Sequence, residues 1–443
     1  MELKQITLHN YRRFDDFSIT LHPQLTVIAA RNGQGKTTIL EAIAAALGPF
    51  VGAFDAGKAE HIRRTDARYV VVGHGPEQEQ EFPVTIDAVA TTPPIRWQRA
   101  LQSPKGRTTT KEAAPLAQWG QHLQAQLRQH ASTPLPVIRY YSSKRLWVSH
   151  KNTATKAVLT ESRTTGYQDC LSSLSSFVQL QQWMKKATQA VLQQQIQPGY
   201  AHSDLRQRLQ GIANAVDVVM ADEGWSHFHY SLVHDELAMA HPDHGALPIS
   251  LLSDGVRAMI SLAADLALRC VRLNGYLGER APLESSGIVL IDEVDLHLHP
   301  AWQQKVVHNL RAAFPKLQFI ISSHSPQVLS TVKRENTRVI FRDAQGQWLA
   351  QTPDEEILGL ESAVALNDVM GVNPIPPLAE ARLIADYTAS IENGLQETPA
   401  GQRLRKQLQS TYGPTHTVLR DADRLIRFQQ FKLRQASKTT DQS

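Results

Sequence analysis

Lys36 and Thr37 lie in the stretch Ala30-Arg31-Asn32-Gly33-Gln34-Gly35-Lys36-Thr37. This stretch fits the pattern G-x-x-x-x-G-K-[ST] except at its first position. Backbone N–H groups of such a loop, and the helix N-terminus behind it, attract phosphate oxygens. Lys36 can neutralise β- and γ-phosphates, and Thr37 can offer its hydroxyl to Mg²⁺. Ala30 stands where the pattern has a glycine, so backbone strain or weaker nucleotide binding is expected there. Far downstream, "GIVLIDEVDLHLHP" (287–300) ends four apolar residues in Asp292 and Glu293. Phosphate hydrolysis needs one carboxylate for the magnesium shell and another group to orient water. We assign Asp292 to the first task and Glu293 to the second.

Three further stretches carry candidate groups. "LLSDGVRAMISLAADLALR" (251–269) presents Ser253 and backbone N–H groups at the start of a helix, a second place for an anion. "FIISSHSP" (319–326) is an apolar strand ending in His324, and a lone histidine at such a place is usually structural. "DLHLH" offers His297 and His299, but a zinc site needs a third ligand that the sequence does not supply. The reading preferred for it is a loop that packs at a subunit interface.

The elements that must position these groups are legible from periodicity. "LTVIAA" before the loop is a short apolar strand, and "TTILEAIAAALG" has helical spacing with Gly48 as its predicted terminator. "ELKQITLHNY" and "FSITLHPQLTVIAA" alternate as strands, and 68–101 reads as antiparallel strands broken by Gly/Pro turns. "PVIRYYSS" (136–143) is another strand. From about 167 to 196, Leu171, Leu174, Phe177, Val178, Met184, Ala187 and Val191 recur at helical spacing, and "PGY" breaks the pattern. Leu205, Leu209, Ile212, Val216 and Val219 make a second helix, so the pair reads as a helical hairpin. Thirty residues of helix reach only about 45 Å, a stub rather than a long arm. "WSHFHYSLVHDELAM" returns to strand. After "LSDG", apolar residues at 256, 259, 260, 263, 267 and 270 predict a helix that starts at Gly255. "SSGIVLIDE" and "LQFIISSHS" are two more apolar strands with a helix between them. "GVNPIPP" (371–377) reads as a linker, and the remainder is helical and polar. The fold class is therefore α/β: a mixed core sheet with flanking helices, an antiparallel β subdomain, a short helical-hairpin insertion and a helical C-terminal segment. The expected divisions are 1–150, 151–225, 226–370 and 371–443.

Composition narrows the class without choosing the function. Hydrophobic residues make up 42% and charged residues 20%, with a net charge of +4. That balance supports a sizeable core and does not by itself argue for nucleic acid. Two cysteines, Cys170 and Cys270, give no disulfide framework and suit a reducing cytosol, so a cytoplasmic location is expected. No run of about 18 apolar residues occurs, so no membrane span is expected.

Taken together, the motifs resemble those of the ABC-type ATPase heads of the RecF, Rad50 and SMC kind. "LHNYRRFDDFSI" resembles the opening strand and turn of that group, which implies Arg12 or Arg13 near the nucleotide. "ARNGQGKTT" resembles its G-x-N-G-x-G-K-[ST], which implies Asn32, Gly33, Gly35, Lys36, Thr37 and Thr38 around ATP and Mg²⁺. "LSDGVR" resembles its signature loop with Ser253 and Gly255, "LIDEVDLHLHP" its Walker B and D-loop, and "SSHSP" its histidine switch, which puts His324 at the γ-phosphate. The resemblance covers about residues 1 to 345. Asp254 departs from the usual glycine of the signature, and no Q-loop glutamine follows "VIRYYSS". What the resemblance implies is ATP sandwiched between two heads of a homodimer or higher oligomer. Each site would use Lys36 and Glu293 of one chain and Ser253 of the other.

"ALNDVMGVNPIPPLAEARLIADYTASIENG" resembles the tail of the PtuA-type ATPases of Septu and retron-linked anti-phage systems. That resemblance implies an HNH nuclease partner (PtuB-like) and, in the retron branch, a reverse transcriptase with its DNA–RNA product. Two other classes compete. An overcoming-lysogenization-type nuclease would need a Toprim domain, for which "RDADR" (420–424) offers Asp421 and Asp423. A RecF-like repair ATPase would bind duplex DNA, and segment 401–443 carries nine Lys/Arg against three Asp/Glu. Within that segment, "RLIRFQQFKL" spaces Leu425, Phe428 and Phe431 among Arg424, Arg427 and Lys432, a pattern for packing or for anchoring a partner.

Overall fold

A computed structural model describes residues 1–71, 77–143, 162–172, 177–196 and 204–440, with backbone alone for 433–440. Leu174, the "PGY" break and the first part of the expected insertion lie outside the described residues. Two compact units emerge, Met1–Met370 and Gly371–Ser443.

The first unit begins with strands β1 (Glu2–Tyr11), β2 (Phe14–Thr20) and β3 (Leu25–Ala29), followed by helix α1 (Lys36–Val51). A small hairpin, β4 (Tyr69–Val71) and β5 (Gln78–Gln80), precedes β6 (Val84–Thr92), β7 (Arg96–Leu101), α2 (Ala114–Gln129) and β8 (Val137–Tyr141). Strands β2-β1-β6-β7 form a four-stranded antiparallel sheet. Helices α3 (Phe177–Ile196) and α4 (Leu205–Met220) follow, then a three-stranded sheet of β9 (Ser226–Ser231), β10 (Glu236–His241) and β11 (Gly245–Pro248). The predicted helix from 167 begins ten residues later, at Phe177. Residues 163–167 instead form a tight 3-10 turn held by the Arg139 and Arg269 guanidiniums, which donate to carbonyls between Gly166 and Asp169.

Helix α5 (Asp254–Leu273) leads through short α6 (Ala281–Glu284) into β12 (Gly287–Ile291). Next come α7 (Pro300–Gln303), α8 (Val306–Ala313), β13 (Leu317–Ser323), α9 (Pro326–Leu329), β14 (Thr337–Arg342), β15 (Trp348–Gln351) and α10 (Ser362–Met370). The core sheet has the order β15-β14-β3-β13-β12-β8. All its pairings are parallel except β14–β15 at one edge. Strands β3, β8, β12 and β13 are buried along their whole length, as strands covered on both faces must be. The register pairs Ser323 with Ala29, Ile321 with Ile291 and Ile291 with Tyr141. The loops that follow these four strands therefore leave the sheet along one edge, where ligands of open α/β sheets bind.

Helix α1 does not stop at Gly48. It continues through Pro49 to Val51. Pro49 has no N–H to give the Ala45 carbonyl, and the buried Arg99 guanidinium donates there instead. The Trp97 Nε1–H donates to the Ala46 carbonyl at 2.8 Å. Gly48 serves close approach, because a Cβ there would lie 2.3 Å from the Glu60 carbonyl oxygen. Helix α5 likewise starts one residue before Gly255, with Ser253 as its N-cap. Its apolar stripe, Val256, Met259, Ile260, Ala263, Ala267 and Cys270, is buried as its period requires. On the same helix, Asp265 is almost fully buried and receives Arg139 Nε at 3.0 Å, Arg269 Nε at 3.1 Å and the Tyr141 hydroxyl at 2.8 Å. That cluster ties α5 to β8.

The described residues of the second unit form α11 (Ala379–Glu392), α12 (Pro399–Tyr412) and α13 (Thr417–Thr440). Tyr387, Ile391, Leu408, Leu419 and Ala422 form its small core, with Leu425 packed against it. Phe428 and Phe431 are 53% and 57% exposed, and the Lys432 ammonium lies 4.8 Å from the Phe428 ring centroid. Asp421 and Asp423 sit on this helix paired with Arg424 at 3.1 Å and Arg405 at 2.7 Å. No described helix is long and apolar enough to cross a membrane.

Candidate functional site

The loop between β3 and α1 is built by two glycines that do need left-handed backbone. Gly33 has φ 77° and Gly35 φ 99°, angles that side chains resist. At Gly35 space is short as well: a Cβ would lie 2.6 Å from Phe14 and 3.0 Å from Arg13. Ala30, at the first position of the pattern, is not in that region, so alanine brings no such strain. Its carbonyl accepts the Lys36 Nζ–H at 2.7 Å, and the Arg31 carbonyl lies at 3.4 Å. Lys36 is buried, and burial lowers its pKa against the pull of Glu293, Asp292 and Asp295. A buried ammonium bonded to loop carbonyls is poised to exchange them for stronger, charged acceptors. Arg31 and Gln34 close the loop on itself, with the Arg31 N–H donating to Gln34 Oε1 at 2.8 Å. Asn32 is exposed at the loop tip, and Thr38 is buried as the third residue of the helix.

Asp292 and Glu293 follow β12 directly. The Thr37 hydroxyl donates to Asp292 Oδ2 at 2.7 Å, and Ser322 Oγ donates to Asp292 Oδ1 at 2.6 Å. Asp292 is fully buried. Glu293 is half-buried with φ 48°, an uncommon conformation for a residue with a side chain. Its N–H donates to Ser322 Oγ at 2.8 Å. The structure thus brings Lys36, Thr37, Asp292 and Glu293 to one place from positions more than 250 residues apart.

His324 follows β13 at the same edge and is half-buried. Its Nδ1 lies 3.8 Å from Asp295 Oδ2, and Asp295 Oδ1 accepts the Ser323 hydroxyl at 2.7 Å. His297 and His299 are exposed, and His299 caps α7 by accepting the Ala301 N–H at 3.3 Å. Among the described residues, no three His, Cys, Asp or Glu side chains group as a metal site.

The β1–β2 turn holds Arg12 at φ 53°. Its Nε donates to Asp66 Oδ1 at 2.9 Å and its Nη2 pairs with Glu41 on α1. Burial alone would lower its pKa, but Tyr11, Asp66 and Glu41 together hold it above the ordinary value. A cavity of about 180 Å³ beside Thr37 is lined by Arg12, Glu41, Asp66, Tyr140 and Ser142, among others. Ser142 and Ser143 occupy the place after β8 where the sequence shows no glutamine. Ser253 stands exposed at the head of α5. Gly255 is pressed against the loop after β12, because a Cβ there would lie 2.7 Å from the His297 carbonyl oxygen.

Sequence reading missed Ser322, Asp295 and the Arg12–Asp66–Glu41 group. Two adjacent serines directly after the apolar run Phe319-Ile320-Ile321 of a buried strand were the available signal for the first. The site's hard oxygen donors, the Thr37 hydroxyl and the Asp292 carboxylate in direct contact, fit Mg²⁺.

A family profile described as "AAA domain" matches residues 5–214, and one described as "AAA domain, putative AbiEii toxin, Type IV TA system" matches 195–330. The chain is 23% identical to "Retron Vc95 probable ATPase" of Vibrio cholerae over 92% of its own length and 86% of that protein. It is 32% identical to "Retron Ec83 probable ATPase" of Escherichia coli over 39% of its length and 31% of that protein. With "Septu protein PtuA" of Bacillus mycoides it shares 45% identity over 17% of its length and 10% of that protein. The SMC head domain from Thermotoga maritima aligns with TM-score 0.42 at 14% identity, over 80% of this chain and 100% of that one. The fold reading rests on the sheet order above and not on that likeness. Ordered motifs, their convergence at one sheet edge and these matches together make the chain an ATPase with an ABC-like motif set, similar to ATPases named for retrons and to the Septu protein PtuA.

Proposed function

We propose that this chain binds ATP with Mg²⁺ on the β3–α1 loop, hydrolyses it, and uses the change to control a nuclease partner in anti-phage defence. The observation that carries the reading is the convergence of Lys36, Thr37, Asp292 and Glu293 at the carboxyl ends of β3 and β12. Lys36 releases the loop carbonyls and takes the β- and γ-phosphates. The N–H groups that follow Gly33 and Gly35 hold phosphate oxygens, with Asn32 and Thr38 flanking them. Thr37 and Asp292 would hold the metal, which would supply neutralisation of phosphate charge. Glu293 orients the attacking water towards the γ-phosphorus, and His324, whose Nδ1 lies 3.8 Å from Asp295 Oδ2, reads the γ-phosphate. Arg12, locked to Asp66 and Glu41, fixes α1 at the edge of the nucleotide.

Ser253, exposed at the head of α5, and Gly255 beside it complete the site of a second copy in a homodimer or higher oligomer. The C-terminal unit docks the effector through Phe428 and Phe431. An HNH nuclease is the partner class, and in a retron setting a reverse transcriptase with its DNA–RNA product joins it. The relatives named for retrons and Septu support this assignment.

Glu293→Gln tests the core of the reading. Nucleotide affinity is expected within a few-fold of wild type, while turnover falls by about 10²- to 10⁴-fold. Turnover near wild type in the variant would remove Glu293 from its role. No ATP turnover by the intact chain, alone or with its partner, would remove the function.

A further inference from the structure

The two acids after β12 are not held by their own strand alone. Ser322, on neighbouring β13 and fully buried, touches both. Its hydroxyl donates to Asp292 Oδ1 at 2.6 Å and accepts the Glu293 N–H at 2.8 Å. Its carbonyl accepts the Val294 N–H at 3.0 Å. One hydroxyl offers one proton and two lone pairs, so both bonds can be made at once.

We infer that Ser322 is a positioning residue for hydrolysis, setting the Asp292 carboxylate and the Glu293 backbone together from the neighbouring strand. This inference rests on the ATPase reading of Asp292 and Glu293. Asp292 has two oxygens, and Thr37 takes Oδ2 while Ser322 takes Oδ1. With both oxygens engaged, the carboxylate cannot rotate, and the oxygen beside Thr37 stays presented to it. Glu293, with φ 48°, occupies a backbone conformation that persists only when its surroundings over-determine it. The Ser322 hydroxyl and carbonyl, on consecutive N–H groups, are two of those constraints. Loss of the hydroxyl therefore loosens the Glu293 backbone that carries the water-positioning carboxylate and frees one Asp292 oxygen, while Lys36 and the loop N–H groups keep their places. Ser323, next along the strand, bonds Asp295 instead, so the two serines divide the loop between them.

The experiment compares wild type, Ser322→Ala and Glu293→Gln for turnover, for binding of a fluorescent ATP analogue and for thermal unfolding. A displaced carboxylate predicts that Ser322→Ala loses about 10- to 100-fold in kcat. Analogue affinity measured without magnesium is expected to stay within about threefold, since Lys36 and the loop N–H groups are untouched. Equal losses in affinity and turnover would mark a merely structural role and overturn the proposal, as would kcat within twofold of wild type. If Ser322→Ala does not fold, Ser322→Cys keeps the volume with a weak donor and is read by the same criteria. Ser322→Thr, which retains the hydroxyl, is expected to recover turnover. An inactive wild type, or an active Glu293→Gln, would sink the ATPase reading itself. A normal wild type with an unaffected Ser322→Ala would sink this inference alone.

Discussion

The Thr37 hydroxyl meets Asp292 Oδ2 at 2.7 Å across 255 residues of sequence. One residue begins α1 and the other ends β12, so this bond measures how closely the phosphate loop and the acidic strand end are fitted. Both groups are oxygen donors of the kind that share a small hard cation.

Metal dependence follows from that pair. Wild-type chain is expected to bind ATP more tightly with magnesium than with a chelator in excess. Thr37→Ala and Asp292→Asn are expected to lose most of that difference while keeping the magnesium-free affinity. Calorimetric titration with and without magnesium checks this, and an unchanged magnesium effect in both variants would refute it.

Completion of the site by a second copy makes a different prediction. Lys36→Ala and Ser253→Arg chains are each expected to be inactive alone. Mixed in equal amounts they are expected to regain about a quarter of wild-type turnover, since half of two-fold dimers are mixed and each holds one intact site. A mixture as inactive as its parts would count against sharing.

The buried Asp265 makes a prediction about stability. Burial pushes its carboxyl upward, but Arg269 and Arg139 outweigh it and hold the group well below the usual carboxylate range. A depressed carboxyl adds stability above its unfolded pKa of about 4 and loses it as pH falls towards the folded value. Asp265→Asn leaves two buried guanidiniums short of an anion, at a cost of about 3–5 kcal/mol near neutral pH. Urea unfolding of both proteins should show that gap closing as pH drops from about 4 to 2. A gap constant over that window would mean that Asp265 does not titrate as the geometry requires.

Phe428 and Phe431 make the partner prediction. Both are more than half exposed on a basic helix, so Phe428→Ser with Phe431→Ser should leave solubility and ATP binding intact. Pull-down from a host expressing the whole system should then lose the nuclease. Retention of the nuclease at wild-type yield would move docking elsewhere.

Local chemistry was legible along the chain. The phosphate loop, the two acids after β12 and the α5 stripe depend on residue type at fixed spacing, and neighbours in sequence suffice to show them. The core sheet and its flanking helices were equally readable, because strands buried on both faces are continuous apolar runs. Where reading failed, a partner distant in sequence decided. Gly48 looked like a helix terminator, yet Glu60 and Arg99 claim its space and α1 runs on. Ala30 looked like a cost, yet its place in the fold does not require left-handed backbone. Arg12 was placed near the nucleotide with no sign of Asp66 and Glu41, which hold its guanidinium. Ser322 could not be told from any small polar residue in a strand until β13 lay beside β12. Residue types at fixed spacing settled which groups could do the chemistry. The order β14-β3-β13-β12-β8 decided which of them meet, because pairing between strands is set by burial of whole faces and not by any single residue.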